Sequence, residues 1–158
     1  MKLSVPTFCF ILIMGCSSPK KQPEEFSFDQ LQSASENSSE KASVRIDLVN
    51  KGVGPVAELT LPLEVDEQMV EQGSVLYSQK CTACHKIGET FIGPPPNGIL
   101  KRRTPAWVMN MILNPEVMLK EDQLAKDLFM EFNGAPMANQ GLTKEEARSI
   151  LEYFRTLD

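Results

Sequence analysis

From residue 66 onward the apolar side chains recur at helical spacing, while upstream of it they alternate or thin out. Met69, Val70, Gly73, Leu76 and Tyr77 fall on one stripe behind Asp66, a suitable N-cap, so the spacing predicts a helix that runs into residues 81–85. Thr104-Pro105 starts a second helix, with Thr as cap and Pro at the first position, that reaches Leu113 and is ended by Asn114-Pro115. A third is expected over about Glu121 to Phe132, stopping at Asn133-Gly134. The last begins at Thr143, where Thr143 and Glu146 form a capping-box pattern and Ala147, Ile150, Leu151 and Phe154 make the buried stripe. Between the first two helices, Ile92-Gly93-Pro94-Pro95-Pro96-Asn97-Gly98 excludes regular helix and prescribes an extended path.

Upstream, Val44, Ile46 and Leu48 alternate with polar residues. After Asn50-Lys51-Gly52-Val53-Gly54-Pro55 a second alternation runs through Ala57, Leu59 and Leu61. This predicts a small hairpin, an extension over residues 44–65 packed on the domain. Ser17–Ser43 is rich in Ser, Glu, Lys, Gln and Pro and is expected to be disordered. As a flexible coil its 27 residues would reach roughly 25–31 Å, a tether's length. Residues 1–16 open with Lys2, continue through an apolar stretch from Leu3 to Met14 broken by Pro6, and finish Ile13-Met14-Gly15-Cys16. That resembles a bacterial lipoprotein signal, although Met14 departs from the usual small residue at its position. The stretch is too short to span a bilayer, which takes about 20 apolar residues. Cleavage would leave Cys16 first, carrying the lipid. The chain thus divides into a signal (1–15), an anchor and linker (16–43), an extension (44–65) and an all-α domain (66–158).

Composition adds limits. The 158 residues, 42% of them hydrophobic, suit one modest domain. Without Lys2, fifteen Lys and Arg face twenty-one acids, a mature charge near −6 that makes nucleic acid an unsuitable partner. Lys80, Lys86 and Lys101-Arg102-Arg103 still gather near residues 81–85, either as a solvated face or for docking and propionate pairing. Of four cysteines, Cys9 leaves with the leader and Cys16 takes the lipid, so two thiols remain. They lie in Cys81-Thr82-Ala83-Cys84-His85, which holds the chain's one histidine. Thiols at i and i+3 on a helical turn share a side and can reach two haem vinyl groups, and the next side chain can meet the iron. A thioredoxin-like pair lacks its surrounding strand and helix alternation here, and a structural zinc site lacks its other ligands.

With these residues in place, Asp66 to Leu157 resembles a class I, single-haem cytochrome c. Gly73, Tyr77 and Cys81 resemble that family's N-terminal helix, and Ile150-Leu151-Glu152-Tyr153-Phe154 its crossing C-terminal partner. Gly93-Pro94 resembles the loop whose proline carbonyl accepts a hydrogen bond from the ligand imidazole. Pro96 stands where the family has a haem-packing leucine, a contact Ile99 is expected to take over. The resemblance implies one covalent haem c, an all-α fold around it, His85 as one axial ligand and Met137 as the other. Met137 follows Ala135-Pro136 in a loop before the last helix; Met118, also after a proline, is the rival. Met109 and Met111 fit core or haem-edge packing, and Trp107 needs a partner for its N–H, either a propionate or a backbone carbonyl.

Iron with both axial positions filled carries electrons rather than turning over substrate, so the expectation is an electron carrier and not an enzyme. It is read as lipid-anchored to a bacterial membrane, facing the periplasm, and shuttling electrons from a quinol-oxidising complex to a terminal reductase. The alternatives are a haem-based ligand sensor with a displaceable methionine, an electron donor to a terminal oxidase, and a peroxidase, which usually pairs two haems. Arg103 to Pro115 and Ala135 to Leu157 further resemble small lipoprotein cytochromes associated with nitrous oxide reductase systems.

Overall fold

The structure is a computed structural model that describes residues 40–157. The leader, Cys9, Cys16 and most of the expected linker lie outside them. Among the described residues five α-helices follow in order: α1 Glu67–Lys80, α2 Pro105–Leu113, α3 Pro115–Glu121, α4 Gln123–Glu131 and α5 Lys144–Phe154, with a 3₁₀ turn at Ile99–Lys101. The Asp66 carboxylate caps α1, the Thr104 hydroxyl caps α2, and Thr143 with Glu146 completes the reciprocal capping box on α5. Such a cap is worth about 1 kcal/mol, so these three helices start where their side chains dictate.

The domain is organised by the crossing of α1 over α5. A Cβ at Gly73 would be driven into the Ser149 carbonyl and would lie 2.9 Å from the Cβ of Tyr153, so only a hydrogen fits. Tyr77 is buried beside the crossing, its ring centroid 5.7 Å from Tyr153 and 5.8 Å from Phe154. On the same helix the buried Glu152 accepts from the backbone N–H of Asp66 at 2.9 Å and pairs with Arg148 and with Arg155. These contacts hold the Glu152 carboxyl below its usual range despite the burial that opposes them. Ala147, Ile150 and Leu151 of α5 join Trp107, Val108 and Ile112 of α2 in the core.

The expected hairpin does not form. No strand occurs among the described residues, and the one pairing near this region is an isolated parallel bridge between Asp47 and Arg103. Val44, Ile46 and Leu48 are 53%, 67% and 56% exposed, so their alternation marks no buried face. Residues 40–65 instead form an extended strap held by point contacts. The Asn110 amide, buried on α2, donates to the carbonyls of Lys51 and Val56 at 2.9 Å each and accepts from the Val56 N–H at 2.9 Å. Farther along, Arg155 donates to the carbonyls of Pro62, Leu63 and Glu64. Contacts with the domain also occur before Val44: Ala42, assigned to the linker, is buried in the core, and Ser43 donates to the Glu131 carboxylate. Helix α3 is a second departure. Asn114-Pro115 does end α2, but Pro115 also supplies the first position of a new helix, where its fixed φ and missing N–H cost nothing.

Candidate haem site

Cys81 caps the C-terminus of α1, its N–H donating to the Tyr77 carbonyl. The chain then turns on itself: the N–H groups of Cys84 and His85 donate to the Cys81 carbonyl at 3.0 and 2.8 Å, and Gly93 N–H returns to the Cys84 carbonyl at 2.9 Å. Both sulfurs and the imidazole are thereby presented to one cavity. Burial, with Cys84 second, pushes the Cys81 thiol up to about 11. A disulfide oxidoreductase needs the opposite, a lowered thiol pKa.

The imidazole is fixed on two sides and its backbone on a third. Its Nδ1 lies 2.8 Å from the Pro94 carbonyl. A carbonyl only accepts, so Nδ1 carries a proton, and in the neutral ring the lone pair is on Nε2. The Tyr77 hydroxyl donates to the His85 carbonyl at 3.0 Å. Gly93 lies flat against the ring, and a Cβ there would come to 2.8 Å of Nδ1 and closer still to Cε1. Burial raises the Tyr77 phenol to about 12, with the neighbouring Cys81 and Tyr153 adding to the shift, so the hydroxyl stays a donor through ordinary alkaline pH.

The rest of the wall is largely apolar. Ile99 reaches the cavity, and Pro96, buried, does too. Val108, Met111 and Ile112 come from α2, Leu128 and Phe129 from α4, and Ile150 and Phe154 from α5. Met137 closes the wall from the loop before α5, half-buried. Met118 does not reach it. That side chain is fully buried on α3, its sulfur accepting from the Val53 N–H at 3.1 Å and filling the space left by Gly52, so it fastens the strap. Met109 is core, and Met111 is the other thioether on the wall. Trp107 also lines the cavity, but its N–H is taken neither by a propionate nor by a backbone carbonyl. It donates to the Asp122 carboxylate at 3.1 Å, which also caps α4. Sequence reasoning did not single out Asp122 as this partner, an Asp directly before an apolar helical run being the available signal; Arg103, which also lines the cavity, belongs to the basic run read there as a solvated face or for docking and propionate pairing.

An apolar cavity with two thiols and an oriented imidazole on one wall and a thioether on another fits haem c, and the comparisons with known proteins agree. The family described as Cytochrome c matches residues 70–158. The chain belongs to the cytochrome c family. The cytochrome accordingly binds covalent haem c through Cys81 and Cys84, in the role of an electron carrier. Among solved structures it is similar to cytochrome c from Rhodothermus marinus, at 40% identity over 66% of this chain and 89% of that one, with a TM-score of 0.63. Engineered Rhodothermus marinus cytochromes c, Rma TDE, are similar at 39% identity, with TM-scores of 0.63 and 0.61 over 66% of this chain and 90% and 89% of theirs. One of these is bound to a carbene intermediate, 1-ethoxy-1-oxopropan-2-ylidene, which belongs to that engineered protein. No curated protein matches the chain.

Proposed function

We propose that this cytochrome is a membrane-tethered carrier of single electrons in the periplasm, with His85 and Met137 as the axial ligands of its iron. One observation carries the ligand set: His85, proton fixed on Nδ1 and lone pair left on Nε2, shares a cavity with Met137, while Met118 is sealed in the core. Haem c, when bound, supplies a one-electron Fe(III)/Fe(II) couple, and thioether ligation raises its potential. The chain's own part is to hold the imidazole in one tautomer, keep water off the wall with aliphatic and aromatic side chains, and leave the cysteine side near solvent. Cys84 is exposed, and Ile87, Phe91 and Ile92 beside it are each about half exposed. That apolar rim suits brief docking of a redox partner. Lys86 is less free to steer than its charge suggests, since it pairs with Glu89 at 3.3 Å and lies 4.3 Å over the Phe91 ring.

Electrons would come from a quinol-oxidising complex and pass to a terminal reductase, nitrous oxide reductase being the first candidate. Its support is the resemblance of Arg103 to Pro115 and Ala135 to Leu157. In the fold, many side chains of these stretches face the cavity or the helix crossing, so the resemblance speaks for haem packing as well as for a partner. Anchoring rests on the signal-like residues 1–16, and Cys16→Ser should release the protein from membranes with its haem spectrum unchanged. The ligand set is tested by the ferric absorption spectrum with a cyanide titration. A methionine-to-iron charge-transfer band and resistance to cyanide are expected; a high-spin spectrum with ready binding at neutral pH would replace the carrier by the ligand sensor. Stopped-flow oxidation of the reduced protein by nitrous oxide reductase, against a terminal oxidase, decides the partner.

A further inference from the structure

The first stretch of the strap is amphipathic the wrong way round. Val44, Ile46 and Leu48 point outward, more than half exposed, and Val49 beside them is 85% exposed. The residues between them are half-buried and polar. Ser43 donates to the Glu131 carboxylate and Arg45 to that of Asp127, both on α4, while Asp47 accepts from the N–H groups of Val49 and Asn50. A half-buried extended segment normally turns its apolar side chains to the core. Single exposed aliphatics need no explanation, but four between positions 44 and 49 make a patch, and patches mark contact surfaces.

The backbone says what kind of contact. The N–H groups of Val44 and Arg45 are taken by the Lys41 carbonyl, that of Asp47 by the Arg102 carbonyl, and those of Val49 and Asn50 by the Asp47 carboxylate. A partner strand needs a free ladder of donors and acceptors to add to, and here most donors are already used. Hydrocarbon asks for the opposite, a backbone satisfied from within and apolar side chains presented outward. The position in the chain points the same way, because the linker read from the sequence leads from Cys16 directly to this stripe. Resting on the anchoring at Cys16 proposed above, we propose that Val44, Ile46, Leu48 and Val49 lie against the phospholipid surface that holds the anchor. The tether raises the local concentration of lipid around the stripe, so a patch too small to bind a membrane alone can do so here. Ser43, next to the stripe, also lines the haem cavity. The contact would therefore hold the haem domain in one orientation over the bilayer, where a linker alone would let it tumble.

The test uses the full-length lipidated holoprotein on phosphatidylethanolamine and phosphatidylglycerol vesicles, with a diazirine analogue of leucine placed at position 46 or, as control, at position 63. Leu63 is 99% exposed and lies outside the stripe, so exposure alone would label it at least as strongly. Lipid adducts at 46 should exceed those at 63 several-fold. Equal yields overturn the proposal, as do adducts at 46 with residues of the same chain or of a second copy, which would name the occupant instead. In a second experiment the probe sits at position 49. Changing Val44, Ile46 and Leu48 together to Ser should remove most of its lipid adducts while haem spectrum and melting temperature stay unchanged, since all three side chains are exposed. Undiminished adducts would mean that the tether alone brings this segment near lipid, and that also overturns the proposal. Failure of the anchoring reading is seen separately, as a purified protein whose mass shows no lipid on Cys16; the proposal falls with it.

Discussion

The histidine and methionine parts of the haem-cavity lining are built to different standards. On the histidine side the backbone is tied by hydrogen bonds: Cys84, His85 and Gly93 close on one another, Tyr77 donates to the His85 carbonyl, and His85 donates to Pro94. On the methionine side, Gly134 and Ala135 bond back to Phe129 and Phe132, and from there to Leu142 the bonds are local, Gln140 to Ala138 and Gly141 to Asn139. Met137 and Leu142 hold that loop by packing against the core. The imidazole is therefore positioned by the protein before anything binds, and Met137, the ligand proposed with it, is positioned by apolar contact alone. A segment with few buried hydrogen bonds opens at lower cost than the fold as a whole. Exchange at the iron, heat and denaturant should all act first on the methionine loop.

The hardest blow to this contrast is Gly93→Ala, which sets a methyl against the imidazole of the rigid wall. Overpacking of that kind costs about 3 kcal/mol, and denaturant unfolding of the holoprotein should show it together with a disturbed iron spectrum; a wild-type midpoint would mean the histidine wall yields. Met137→Ala should cost about 2 kcal/mol and do something the first change does not: abolish the charge-transfer band, lower the potential and admit cyanide. Met111→Ala and Met118→Ala should keep the band, the latter with a large loss of stability from its cavity and the orphaned Val53 N–H. Tyr77→Phe removes one hydrogen bond and should cost about 1 kcal/mol at neutral pH. Its pH signature is distinct. The native phenol ionises near 12 and the unfolded one near 10, so over that interval the unfolded chain binds fewer protons and stability falls as pH rises. The variant should lack that contribution to the decline. Smallest is Asn139→Ala, which deletes an exposed side-chain-to-backbone bond in the methionine loop. A few tenths of a kcal/mol is expected, with a faster cyanide on-rate as the sharper readout.

The legible and illegible parts of this chain divide along similar lines. Helices α1, α2 and α5 were foreseeable because stripe and cap lie within a few residues of each other, as Thr143 and Glu146 do. The haem motif and Gly93-Pro94 were equally local. Met137 on the cavity wall agrees with the loop chosen for it, while its bond to iron is for the spectra to test. The strap was misread because period-two alternation normally signals one buried face, whereas Val44, Ile46 and Leu48 face solvent and the strap is held by Asn110 and Arg103 from elsewhere. Trp107 and Asp122 meet across 15 positions, and Met118 bonds Val53 across 65. Such long-range bonds leave no period to read.

Asn110 offers one amide to both sides of a single short bend, Lys51 to Val56, where a β-strand would offer a ladder of equivalent rungs. A ladder lets its partner slip by two residues and bond again almost as well; this clasp has one setting. Length changes should therefore be poorly tolerated between positions 51 and 56, where even a Cβ at Gly54 would strike the Asn110 oxygen. Just beyond, from 57 to 61, where the anchors are apolar contacts of Leu59 and Leu61, an inserted residue has room to be absorbed.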